Sequence, residues 1–250
     1  MVAVCLAAAM LCQGETAPEL VGKMLRYYDA AQTLTGTIRF VQSVGEVSVG
    51  IDTSLQYEKP SKLYIRQDRR SSEPRTFLVT SDGKFFSYDL PEGRLAVPGE
   101  RLYEPVEQNG RFLGYRDIYA IVSRSLGDRS AALDIAIARL DDLKFIRGQW
   151  ATVEYAAEQP GNGVKVVTGD WRAYASAPVS GRYTMWIGEN GELKRFAQRE
   201  VIQPEATVLD ERFRERPAQL NVGPQQVNSV WEVDLKVNGE PDQKLFKVVK

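Results

Sequence analysis

From Val47 to Glu58 the chain alternates. Val47, Val49, Ile51, Leu55 and Tyr57 stand on one set of positions; Ser48, Gly50, Asp52, Ser54, Gln56 and Glu58 stand on the other. A period of two sends the sets to opposite faces of a strand, one apolar and one wet. Such a strand belongs in an antiparallel sheet with one face covered and the other in water. The pattern recurs along the chain. Ile38 and Phe40 precede it in a strand of their own, and Leu63 and Ile65 follow Pro60. Thr76–Thr80 and Lys84–Leu90 flank Ser81-Asp82-Gly83, a hairpin turn because Asp-Gly tolerates positive φ. Further strands are expected over Ala151–Ala157, Val164–Trp171, Arg182–Ile187, Leu193–Ile202 and Val230–Val237, with Asn190-Gly191 as another hairpin turn. The reading gives about ten or eleven strands.

Three stretches carry the helical period instead. Thr16-Ala17-Pro18-Glu19 opens the first: Thr16 caps, Pro18 suits the first turn, and Glu19 completes a capping box. Leu20, Met24, Tyr27, Tyr28 and Ala31 follow at helical spacing, and Gly36 is read as the end of the pattern. Within Tyr115–Leu140, Ile118, Ile121, Val122 and Leu126 define a short amphipathic helix stopped by Gly127, and Ser130–Leu140 a second. There is no internal repeat and no low-complexity linker, so residues 15–250 are read as one domain. The fold class is mainly β: one curved antiparallel sheet with an N-terminal helix and short helices on one side.

Residues 1–14, MVAVCLAAAMLCQG, are uncharged and apolar almost throughout, about the length of a signal peptide's apolar core and too short to span a bilayer. They carry no basic residue ahead of the apolar run. A cut after Gly14 removes both cysteines, Cys5 and Cys12, and with them disulfide and thiolate chemistry. Leu11 stands where a small residue normally precedes a lipidated cysteine, so a lipid anchor at Cys12 is disfavoured. The reading is an exported protein.

Composition narrows the chemistry. The chain has no histidine, which excludes Ser-His-Asp and Cys-His nucleophile systems and histidine-ligated zinc or haem. A net charge of -1 and a pI near 5.8 lack the basic footprint of a nucleic-acid binder. Ser81-Asp82-Gly83-Lys84 matches S-x-x-K, but that nucleophile motif needs a helix start and this one is a turn. Asp141-Asp142 and Glu154/Glu158 read as solvated acids, and Gly161-Asn162-Gly163 as a loop without the helix a phosphate site needs. Arg66, Arg69, Arg70 and Arg75 gather around a loop ending at Pro74, with Asp68 and Glu73 as partners. No catalytic residue, metal or cofactor is expected.

The ordered set Phe40-x-Gln42, Lys59-Pro60, Leu78-x-x-Ser81-Asp82-Gly83-Lys84 and Phe86-x-Tyr88, followed by the helical interval 115–140, resembles the LolA-like superfamily of periplasmic lipoprotein carriers. The turn Glu189-Asn190-Gly191-Glu192 with Leu193-Lys194-Arg195-Phe196, and the closing Asp242-x-x-Leu245-Phe246, resemble its later segments. The resemblance covers nearly all of residues 18–248 and lies in the order and spacing of the motifs. It implies an unclosed half-barrel with an apolar concavity under short lid helices, which carries lipoprotein acyl chains or other lipids, without catalysis, and meets envelope membrane proteins. Ile38, Phe40, Leu55, Tyr57, Leu63, Ile65, Phe86 and Tyr88 are then the candidate ligand-binding residues, and Ile118, Ile121, Val122 and Leu126 the lid. Lys59 stands where the family places an arginine that locks the lid, so its ammonium is expected to donate to backbone carbonyls of the 115–140 helices. The competing readings are a periplasmic sensor module of the RseB type and, more remotely, an enzyme.

The leader yields the first testable expectation. Intact-mass analysis of the exported protein should find a chain that begins near Glu15; a cytosolic product that retains Met1 contradicts it.

Overall fold

The computed structural model describes residues 15–70, 74–89, 101–123, 126, 131–141, 143–202 and 224–248. Thirteen strands and four helices fall within them. Helix α1 (Ala17–Asp29) starts as its sequence requires: the Glu19 backbone N–H donates to the Thr16 hydroxyl at 3.4 Å, and the Thr16 N–H donates to the Glu19 carboxylate at 2.8 Å. Strands β1 (Thr33–Val44), β2 (Val47–Glu58), β3 (Lys62–Arg70), β4 (Arg75–Asp82), β5 (Phe85–Asp89) and β6 (Arg101–Pro105) form an antiparallel meander. A small separate hairpin, β7 (Glu107–Gln108) and β8 (Arg111–Phe112), leads into α2 (Tyr115–Val122), α3 (Ala131–Ile137) and α4 (Lys144–Gln149). The second meander runs through β9 (Glu154–Tyr155), β10 (Lys165–Trp171), β11 (Gly181–Ile187), β12 (Leu193–Ile202) and β13 (Gln225–Val237).

β13 pairs with β1 and joins the meanders into one 11-stranded sheet, in the order β6-β5-β4-β3-β2-β1-β13-β12-β11-β10-β9. β6 and β9 lie at opposite edges and do not pair, so the sheet is not closed into a barrel. The inner face is assembled by register. Met185, Phe196, Trp231, Phe40 and Ile51 face one another across five strands. On the outer face, Arg39 and Arg70 pair with Asp52, Arg66 with Asp68, and Arg195 with Glu232. Of the arginines grouped from the sequence, Arg66 and Arg70 on β3 thus have local partners, and Arg75 on β4 lies 4.7 Å from the Phe77 ring centroid. Glu73 lies outside the described residues. Residues 239–248 return over the outer face, where Asp242 donates its N–H to Gln56, Gln243 donates to Glu58, and Phe246 is buried beside Lys62.

Several expected boundaries move. α1 ends at Asp29 with Ala30 as its C-cap, so Gly36 is not a helix stop. It lies inside β1, paired with Leu55 and Leu235, at φ +143°, where a Cβ would run into the Asp234 carbonyl. β13 begins at Gln225, five residues before the apolar alternation at Val230, because its polar start still pairs with β12. β9 contracts to two residues. β6 and α4 had no expectation: β6 is bounded by Pro105 and half exposed, and α4 contains Gly148 in only six residues. The turns at Gly83 (φ +92°) and Gly191 (φ +101°) are as read.

Gly36→Ala should therefore cost about 3 kcal/mol or more, since it combines an unfavourable φ with backbone overlap. Gly45→Ala, at φ +57° with nothing near its added Cβ, should cost about 1 kcal/mol. Equal shifts of the two urea midpoints contradict the register.

Candidate functional site

The inner face of the sheet is largely apolar, interrupted by the hydrogen-bonded pair Thr53 and Gln67, and the four helices with their linking segments lie on it. Leu34, Ile38, Leu55, Tyr57, Leu63, Ile65, Val79 and Phe86 from the first meander join Val167, Tyr183, Met185, Ile187, Leu193, Phe196, Trp231 and Val233 from the second in a single buried cluster. Leu20, Met24, Tyr28, Ile118, Val122, Leu133 and Ile137 enter it from the helices. The centre of the concave face is thus filled by helix side chains. Each Leu, Ile or Phe buried this way contributes about 1.5–3 kcal/mol, so the helices are held mainly by this apolar contact.

All eight candidate ligand residues lie on that face. Ile38, Leu55, Tyr57, Leu63, Ile65 and Phe86 are at 0–1% exposure, and Phe40 and Tyr88 at 7% and 8%. The lid residues separate. Tyr115, Ile118, Tyr119 and Val122 form the inward stripe at i, i+3, i+4 and i+7, and all four are buried. Ile121 is left on the flank at 41% exposure, so it does not face the cluster as expected. Leu126 lies beyond the end of α2 and packs against the cluster from a bend, partly buried. Gly127 and Ser130 lie outside the described residues.

α2 is pinned at its N-terminus. The Tyr115 N–H donates to the Pro60 carbonyl at 2.8 Å, so the turn between β2 and β3 supplies a cap. The Tyr115 ring stacks on Tyr57, with centroids 4.2 Å apart. Asp117 accepts from the Gly114 N–H, Arg111 and Arg139 at 2.9–3.0 Å. Arg116 crosses to the end of α1: it forms an ion pair with the Asp29 carboxylate at 2.8 Å and donates to the Asp29 carbonyl at 3.2 Å. Beyond this end, the Tyr119 hydroxyl donates to Asp134 of α3 at 2.7 Å.

Lys59 does not make the expected lock. Its ammonium donates to the Asp29 carbonyl at 3.4 Å, not to a carbonyl of the 115–140 helices. Partial burial, reinforced by the nearby Arg116 guanidinium, holds its pKa below the ordinary lysine range. The fork geometry that lysine lacks is present on the other side of the contact, on Arg116 of the lid helix itself. Two cations thus converge on one helix C-terminus, where the last carbonyls and the helix dipole favour positive charge. Arg116 was not selected from the sequence because an arginine at a helix start reads as solvated surface. Its proximity to Asp29 arises only when α2 lies across α1.

The sequence reading also left out the second meander's contribution. Met185, Phe196 and Trp231 line the inner face in register with Phe40, and the rings of Phe40, Trp231 and Phe196 run in series at 4.9 and 5.2 Å. Alternation in Leu193–Ile202 and Val230–Val237 carried the signal, but the pairing of β1 with β13 was needed to bring it to Phe40. Trp231 is 6% exposed, and its indole N–H has no acceptor among the described residues. A buried donor left unpaired costs about 1–3 kcal/mol. One row further out the face turns polar: Gln42 donates to Ser229 at 3.2 Å, and Gln198 lies opposite Ser229 on β12. Beyond them Glu200 lies opposite Val227, its carboxyl raised above the ordinary range by burial.

A separate groove of about 620 Å³ lies at the β9–β10 edge, lined by Tyr155, Gln159, Val164, Lys165 and Glu189 together with Glu15. The Tyr155 hydroxyl donates to the Glu15 carbonyl at 2.8 Å, and Lys165 pairs with its carboxylate at 2.9 Å. None of the candidate ligand or lid residues lines it; Gly161 and Gly163 of the loop weighed as a phosphate site do. Asp141 and the Glu154/Glu158 pair form no candidate metal cluster among the described residues.

No family model matches the chain, and no curated protein matches it. Among solved structures it is similar to a DUF1329 family protein from Desulfovibrio piger, at 10% identity over 94% of this chain and 98% of that one, with a TM-score of 0.33. It is also similar to a LolA superfamily protein from Nitrosomonas europaea, at 9% identity over 94% and 99% of the two chains, with a TM-score of 0.31. LprF from Mycobacterium bovis is similar at 10% identity over 90% and 99%, with a TM-score of 0.34.

Arg116→Met should loosen α2 while it keeps much of the packing along the stem. A charge-assisted contact this sheltered is worth about 1–2 kcal/mol, so hydrogen exchange over 115–122 should speed up roughly tenfold. Lys59→Met should do less, because it removes one long hydrogen bond. Unchanged exchange in Arg116→Met contradicts the latch.

Proposed function

We propose that this protein is a periplasmic carrier that takes an acyl chain, of a lipoprotein or another lipid, onto the inner face of its sheet after the helices have moved aside. The observation that carries the reading is the composition of that face: largely apolar from Tyr88 on β5 to Val167 on β10, its buried Thr53, Gln67 and Ser81 satisfied by hydrogen bonds, and covered by helices of six to thirteen residues. A cover built from short helices with few interior contacts opens at low free-energy cost, which a fused core does not. The motif order from Phe40-x-Gln42 to Phe246, which resembles the LolA-like carriers, supports the same reading.

Magnitudes favour loading with reversible release. An acyl chain gains about 0.8 kcal/mol per CH₂, so a long chain gains roughly 10 kcal/mol gross. Displacing the inward residues of α2 re-exposes Ile118 and Val122, at about 1.5–3 kcal/mol each. The helix therefore competes with the ligand and lowers net affinity without abolishing it. The pinned N-terminus of α2 at Pro60 and Asp29 makes that end the pivot. Delivery and receipt would involve envelope membrane proteins, which the exported location places within reach.

Detergent-free native mass spectrometry of protein taken from its own envelope should show one acyl-bearing ligand per chain. Reloading the delipidated protein should raise hydrogen exchange over 115–122 while β2 and β13 stay protected. A protein that takes no long-chain lipid under these conditions is not a carrier.

A further inference from the structure

Carrying an acyl chain sets a second requirement, because the chain's carbonyl must leave water with it. Trp231 is more than nine-tenths buried, sits mid-row on the inner face between Phe40 and Phe196, and holds an indole N–H with no acceptor among the described residues. Buried polar groups in folded proteins are nearly always paired, and an orphan donor invites a functional account. On one side of this row Ile38 and Val233 come next inward, both buried and apolar, and their row continues through the hydrogen-bonded pair Thr53 and Gln67 on β2 and β3. On the other side the face becomes polar through Gln42, Ser229 and Gln198, and Gln42 is exposed. On β1 and β13, Trp231 and Phe40 thus stand between the apolar pair Ile38 and Val233 on the inward side and the polar pair Gln42 and Ser229 on the outward side.

We infer that Trp231 anchors the acyl carbonyl of the ligand: its indole N–H donates to the ester or amide oxygen, the hydrocarbon tail runs inward beneath the helices, and the head group lies along Gln42 and Ser229. The inference rests on the carrier reading and adds a polarity to it. It also explains why a tryptophan rather than a phenylalanine completes the aromatic series. A neighbouring Phe would pack as well; only indole offers a donor there.

The test compares two one-chain phospholipids with the same head group and chain length, one ester-linked and one ether-linked, on wild type and Trp231→Phe. Wild type should bind the ester about tenfold more tightly, the effect of one sheltered hydrogen bond. Trp231→Phe should erase that preference by lowering the ester's affinity about tenfold, toward that of the ether. In wild type the ¹⁵N-indole resonance of Trp231 should move downfield with the ester and not with the ether. An N-hexadecanoyl peptide as a third ligand separates the sources: tighter binding than the ester points to an N-acylated protein, weaker binding to a glycerolipid. If wild type binds both lipids equally, or if Trp231→Phe weakens both alike, the anchor is wrong and the carrier reading stands. If wild type binds neither lipid nor the peptide, both fall together.

Discussion

The pairing of β13 with β1, from Val237 opposite Leu34 to Val227 opposite Val44, is the contact on which the rest of the molecule depends. Each meander alone would be a twisted sheet with a modest apolar face. Joined, they bring Leu34, Ile38 and Phe40 beside Leu235, Val233 and Trp231, and the two faces become one concave surface. Because the edge strands β6 and β9 do not meet, that surface has no sheet of its own to pack against. Apolar area of this extent cannot stay in water, so something else in the chain must cover it. Four short helices do so, and their side chains fill what a closed barrel would fill with strands.

Covering a sheet with short helices differs from covering it with another sheet. A strand held on both sides cannot leave without breaking a ladder of hydrogen bonds. A helix keeps its own backbone bonds when it moves and gives up mainly apolar contact. Most polar attachments of α2 are gathered at its first turn, where Pro60, Asp29, Arg111 and Arg139 meet Tyr115, Arg116 and Asp117; the Tyr119 hydroxyl adds one to Asp134 of α3. The remaining hold on the sheet comes from Ile118, Tyr119 and Val122, groups that another apolar body can replace. Rotation about the first turn therefore exchanges protein–protein apolar contact for protein–ligand apolar contact at little backbone cost.

Much of this was legible in the sequence wherever one residue's environment is set by its near neighbours. The alternation over Val47–Tyr57, the Thr16/Glu19 capping box and the Asp-Gly and Asn-Gly turns each depend on a few adjacent residues, and each appears in place. Gly36 was misread because a glycine after a helix pattern is commonly its stop. Here the demand comes from the Asp234 carbonyl, about two hundred residues away. Ile121 fits the spacing of Ile118 and Val122 but loses its inward place to Tyr115 and Tyr119, whose rings find partners in Tyr57 and Asp134. Arg116 and Trp231 gain their surroundings only from the crossing of α2 over the end of α1 and from the β1–β13 register. No local pattern encodes either.

The central claim, that the helices must leave the inner face for a ligand to reach it, is open to one direct measurement. A protein expressed from Glu15 onward contains no cysteine, so Asp29→Cys with Arg116→Cys places a single reactive pair where the two side chains now touch. A short, reducible bifunctional thiol reagent across that pair would tether α2 to α1. Binding of a long-chain lipid should be lost in the tethered protein and return on reduction. Equal lipid binding before and after reduction would contradict the account.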